Sequence, residues 1–169
     1  MLNRKLKLKP VATVLWLLCV WMVLSASVTH AEMPERLDGW WIETTEYPYA
    51  ELIERVEAAV DAAPMGIVFR ASPNQAARQM LDIELPGNMV IGVFAPNYAA
   101  RLMATYLPAQ IEAPLRLYIT ANQDGTATLS YRLPSAVFAA YPQGGPELTA
   151  IAEELDQHLA DIATAAVEH

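Results

Sequence analysis

Beyond residue 31 the chain contains neither cysteine nor lysine. Its one cysteine, Cys19, and its three lysines, Lys5, Lys7 and Lys9, all lie before that point. Without thiols the remainder can build neither a disulfide framework nor a thiolate metal site. Histidine is scarce too: only His30, His158 and His169 occur. A Ser–His nucleophile pair has little to draw on, because the serines past residue 31 are Ser72, Ser130 and Ser135, read as a helix cap, a strand residue and a helix start. No glycine-rich phosphate loop is present, since Gly144-Gly145 runs into Pro146 with no lysine after it. Positive charge is equally short. Seven arginines face 19 acids past residue 31, a net charge of −12. Such a domain repels nucleic-acid phosphates, and nucleic acid is not expected among its partners.

What the N-terminus holds is a cationic cluster, Arg4, Lys5, Lys7 and Lys9, followed by an uncharged apolar run from Val11 to Val28 and a small-x-small exit at Thr29-His30-Ala31. These are the three parts of a signal peptide. The run is also long enough, at about 18 residues, to span the ~30 Å hydrocarbon core of a bilayer. Residues 1–31 are therefore read as a signal peptide cleaved after Ala31 or as an anchor retained through residues 11–28. With cations before the run and Glu32 and Glu35 after it, both outcomes place the rest of the chain outside the cytoplasm. The expected location is periplasmic or secreted, or tethered to the inner membrane. Cys19 follows Leu18, where a lipobox requires a small residue.

Residues 32–39 read as a linker and 40–169 as one domain, large enough to fold on its own core. Trp40 to Thr45 is aromatic and β-branched, a first strand. Only one tryptophan of the adjacent pair Trp40-Trp41 can face the core of a strand. Pro48 opens a helix carrying Leu52, Val56 and Val60 at helical spacing, and Ile67 to Arg70 forms a second strand. Ser72-Pro73 reads as a cap and first helical residue. Met89 to Phe94 is a short apolar run, hence a buried strand, and Pro96 starts the next helix. Leu115 to Thr120 and Thr126 to Tyr131 alternate around Asp124-Gly125, a hairpin signal. After a short turn at Pro134, the stripe Leu148, Ile151, Leu155, Leu159, Ile162 and Ala166 marks a long amphipathic helix. The order β-α-β-α-β-α-β-β-α-α gives an α+β fold: a mixed, mainly antiparallel sheet with helices packed on one side, preceded by the N-terminal apolar helix.

The segment Ile111-Glu112-Ala113-Pro114-Leu115-Arg116-Leu117-Tyr118, followed by Asp124-Gly125, Leu129-Ser130-Tyr131 and Pro134, resembles the second half of the domain of unknown function 302 family. Val90 to Phe94, then Pro96, Asn97, Leu102 and Met103, resembles that family's strand-to-helix segment. The resemblance implies a TATA-binding-protein-like α+β fold and a homodimer. This chain departs from the family at Phe94-Ala95-Pro96-Asn97, where members carry Gly-Asn-Pro, and at Ser72-Pro73-Asn74-Gln75, where members commonly carry a histidine.

Candidate site residues follow from recognition chemistry, and no catalytic set is expected. Pro96, Asn97 and Tyr98 begin a helix whose N–H groups could receive an anion, and Tyr131 and Arg132 end a neighbouring strand that could line the same cleft. Glu154, His158 and Asp161 fall at i, i+4 and i+7, a weak metal candidate weighed against a solvated helix flank. No cofactor is implied. The expected function is a non-catalytic binding or accessory module for a small ligand or a membrane-complex partner. The alternatives are an enzyme using Glu, Tyr and Arg side chains on a small metabolite, or a structural partner docking through the last helix.

Overall fold

The structure, a computed structural model, describes residues 32–168. The apolar helix expected before the domain lies outside them. Five strands, β1 (Trp40–Thr45), β2 (Gly66–Ala71), β3 (Asn88–Phe94), β4 (Leu115–Ala121) and β5 (Ala127–Arg132), form one sheet in the order β1-β5-β4-β3-β2. The helices are α1 (Tyr49–Ala62), α2 (Pro73–Leu81), α3 (Pro96–Thr105), α4 (Pro134–Phe138) and α5 (Gly145–Val167), with 3-10 turns at Leu107–Glu112 and Pro142–Gly144.

Every neighbouring pair of strands runs antiparallel. The sheet expected to be mixed is thus antiparallel throughout, and the connections explain why. After α2 the chain returns through residues 82–87, and after α3 through the 3-10 turn, to the sheet end it left. Each of these helices therefore joins antiparallel neighbours and not a parallel βαβ pair. The crossover through α1 joins strands at opposite edges.

One face of the sheet carries the core. Leu117, Ile119, Ile91, Val93, Leu129 and Tyr131 point to it and are buried against Leu52, Val56 and Val60 of α1 and Leu148, Ile151, Leu155, Leu159 and Ile162 of α5. The stripe on α5 is covered within the domain, so the structural-partner reading that needed it free is withdrawn. The hairpin closes as its chemistry predicts: Gly125 takes φ 91°, and the Asp124 carboxylate accepts bonds from Thr126 N–H and Oγ1. Those bonds hold Asp124 below the usual carboxylate pKa. Ser72 does not cap α2. Its hydroxyl donates to Asn74 Oδ1 at 2.8 Å instead, with the Asn88 carbonyl 3.3 Å away.

Candidate binding face of the sheet

Side chains alternate between the faces of a strand, so the register alone determines what the uncovered face displays. Three cross-strand rows result. Trp40 lies opposite Arg132, Arg116 opposite Gly92, and Gly92 opposite Phe69. The register that pairs Leu117 with Tyr131 places Arg116 beside Arg132, one step beyond the end of their ladder. The row therefore reads Trp40, Arg132, Arg116, Gly92, Phe69. Gly92 is required here, because a Cβ would stand 2.1 Å from the Phe69 ring. The second row reads Ile42, Ser130, Tyr118, Val90, Ala71, and the third Thr44, Thr128, Thr120, Asn88.

Over the first two rows lies a cleft of about 360 Å³. Trp40, Val90, Arg116, Tyr118 and Arg132 form its floor, and Pro73, Glu112, Leu115 and Val137 border it. Glu112 Oε1 accepts a 2.6 Å hydrogen bond from the Tyr141 hydroxyl, and its Oε2 stands 4.0 Å from Arg116. That carboxylate raises the pKa of Tyr141. Arg132 makes no ion pair or side-chain hydrogen bond among the described residues. The third row is polar and uncharged: Thr44 Oγ1 and Thr128 Oγ1 are 3.1 Å apart and Thr128 donates to Asn122 Oδ1, while Thr120 Oγ1 and Asn88 Oδ1 are buried with no hydrogen-bond partner among the described residues.

The residues singled out from the sequence do not come together in one place. Tyr131 points into the core and stacks on Trp41, with ring centroids 5.3 Å apart. Arg132, the next residue, faces the cleft. Pro96 and Asn97 are exposed at the start of α3, which departs toward the helix-covered side. A cavity against their neighbours Ala95, Tyr98 and Ala99 holds about 20 Å³, room for about one water. The helix start and Arg132 thus share an end of the sheet but not a face, and no single cleft unites them.

Tyr98 instead joins the other candidate group. Its hydroxyl donates to Glu154 Oε2 at 3.0 Å and lies 2.9 Å from His158 Nε2. Arg101 grips both oxygens of Glu154 at 2.7 and 3.1 Å and reaches Glu147 at 2.9 Å. Arg101, and then Tyr98, hold the Glu154 carboxyl below its usual range. Burial, reinforced by Glu154, raises Tyr98. Asp161 accepts from Gln157 and stands apart from this cluster. No group of three His, Cys, Asp or Glu side chains among the described residues could hold a metal ion. The cluster is an ionic clip between α3 and α5.

Of the cleft floor, the sequence pointed to Arg132 as a site residue, whereas Arg116, Tyr118 and Val90 stood out only as parts of strands. A signal was available in the alternation Leu115-Arg116-Leu117-Tyr118-Ile119, which puts Arg116 and Tyr118 on the face opposite the core.

Residues 41–166 match the model of a family described as domain of unknown function DUF302. The fold is similar to the crystal structure of an uncharacterized conserved protein DUF302 from Bacillus stearothermophilus, at a TM-score of 0.69 and 18% identity, covering 77% of this chain and 99% of that one. No curated protein matches the chain.

Proposed function

The chain belongs to the domain of unknown function DUF302 family, and from that premise we propose that it is an exported, non-catalytic binding or accessory domain that holds a small ligand on the uncovered face of its sheet. The observation that carries this reading is the cleft of about 360 Å³ over Trp40, Val90 and Tyr118. Its size falls within the ~300–1,000 Å³ typical of ligand sites, and its apolar floor with a few polar groups has their usual composition. The acid at its border, Glu112, is engaged by Tyr141, which favours binding over proton transfer. Export rests on the basic cluster and apolar run of residues 4–31, and the site of action is the periplasm or the outer face of the inner membrane. The homodimer implied by the resemblance belongs to the same proposal.

Phenylnaphthylamine, a neutral dye that fluoresces in apolar clefts, tests the site. Binding to the wild-type protein, lost when Val90→Trp fills the floor, is the expected outcome; an unchanged signal in that variant places the ligand elsewhere. Alkaline phosphatase fused to the C-terminus tests export. Activity in intact cells is expected, and an inactive fusion overturns the location. Sedimentation of the purified protein at micromolar concentration reads the oligomeric state.

A further inference from the structure

We infer that the ligand of this face is a small amphiphile with one oxyanion head, seated between Arg116 and Arg132, and an apolar body lying over Trp40, Val90, Tyr118 and Val137. This rests on the reading of the uncovered face as a ligand cleft. It adds the chemical class of the occupant.

Like charges side by side on neighbouring strands are unfavourable, and Arg116 and Arg132 stand in that relation. Acids outnumber cations 19 to seven past residue 31, so most arginines find a partner. Arg70 pairs with Glu57, Arg78 with Glu84, and Arg101 with Glu147 and Glu154, all within 3.2 Å. Arg55 donates to the carbonyls of Ala166 and Glu168. The cleft pair is different. Glu112 approaches only Arg116, at 4.0 Å, with its other oxygen held by Tyr141. Arg132, like the exposed Arg36, makes no ion pair among the described residues, but it stands beside a second arginine.

Two adjacent guanidiniums offer forked donors to the oxygens of a carboxylate, sulfonate or phosphate. The charge sits only in the first row. The second row offers Ile42, Tyr118 and Val90, and the third carries only neutral groups: Thr44 and Thr128 bond each other, and Thr120 Oγ1 and Asn88 Oδ1 are buried. One head and one apolar body therefore fit the face, and a chain of repeated charges does not.

The test uses the full chain, recovered from the compartment to which it is exported, and two dyes sharing one ring system. Anilinonaphthalene sulfonate carries the anion and phenylnaphthylamine does not. At low salt the sulfonate should bind about tenfold more tightly, the order expected of charge-assisted hydrogen bonds. Arg132→Gln should remove that advantage while leaving the neutral dye's affinity and the urea midpoint unchanged. Arg132→Lys, which keeps the charge and loses the fork, should fall between. Decanoate should displace the sulfonate dye and decanol should not. Equal binding of the two dyes overturns the oxyanion class and leaves the cleft standing. Loss of both dyes' binding overturns the cleft and this inference with it. Arg36→Gln, an exposed arginine outside the cleft, should have no effect; a loss matching that of Arg132→Gln overturns the assignment in favour of general charge.

Discussion

The hydroxyl of Tyr131 is buried with no hydrogen-bond partner, while its ring is stacked on Trp41. Burial, with Asp156 adding to it, pushes its pKa well above the ordinary tyrosine value. An unpaired buried hydroxyl forfeits its hydration for nothing. Tyr131→Phe keeps the stack and removes the orphan, so it should leave stability unchanged or raise it by up to about 1 kcal/mol. A lower urea midpoint would show that the hydroxyl is paired in solution. The adjacent tryptophans make a matched contrast. Trp41→Ala opens the core beside Tyr131 and should cost about 3 kcal/mol. Trp40→Ala removes part of the cleft floor, and should weaken dye binding with a change in stability below about 1 kcal/mol. Equal destabilisation by both would contradict the alternation of faces.

At the scale of elements, α2 and α5 differ in what they bury. No residue of α2 is buried, and Met80 and Leu81 at its end are 80% and 65% exposed. Eight residues of α5 are buried. Amide exchange should therefore be fastest across residues 76–81 and slowest in α5 and β4, because opening α2 sacrifices almost no apolar contact. Protection of α2 equal to that of α5 would refute this. The sequence announced both helices through proline starts and periodicity, which are local signals. It could not announce how deeply each docks, since burial depends on partners distant in the chain. The clip between α3 and α5 shows the same limit: Tyr98 and Glu154 were noticed for separate reasons, and only the packing of the two helices joins them. Because Glu154 is held below its ordinary pKa of 4.5, its contribution is present above that value and lost as pH falls through the folded-state pKa. Glu154→Gln should flatten that part of the acid limb in a pH series of thermal midpoints.

For the whole molecule, order of elements and choice of buried face were legible because each strand and helix carries its own hydrophobic period. The cleft was not, because its rows are assembled from residues as far apart as Trp40 and Arg132, and a register is a property of pairs. Composition, a global quantity, was legible and has a consequence of its own. With no lysine among the described residues, tyrosine is the side chain there that ionises between about pH 9 and 12. Tyr49, Tyr98, Tyr131 and Tyr141 all have pKa values raised above 10.0, the first three chiefly by burial and Tyr141 chiefly by Glu112. A group raised on folding contributes stability that is complete below its unfolded pKa and is lost as pH rises through the folded value. The thermal midpoint should accordingly stay level up to about pH 10 and fall steeply above it, with tyrosinate absorbance from the buried hydroxyls of Tyr49 and Tyr131 appearing together with loss of the fold. Tyr141→Phe should shift the onset less than Tyr49→Phe, whose hydroxyl is the more buried of the two. A midpoint that stays level to pH 12 while all seven tyrosines of the chain ionise would show that these hydroxyls reach solvent in the folded protein.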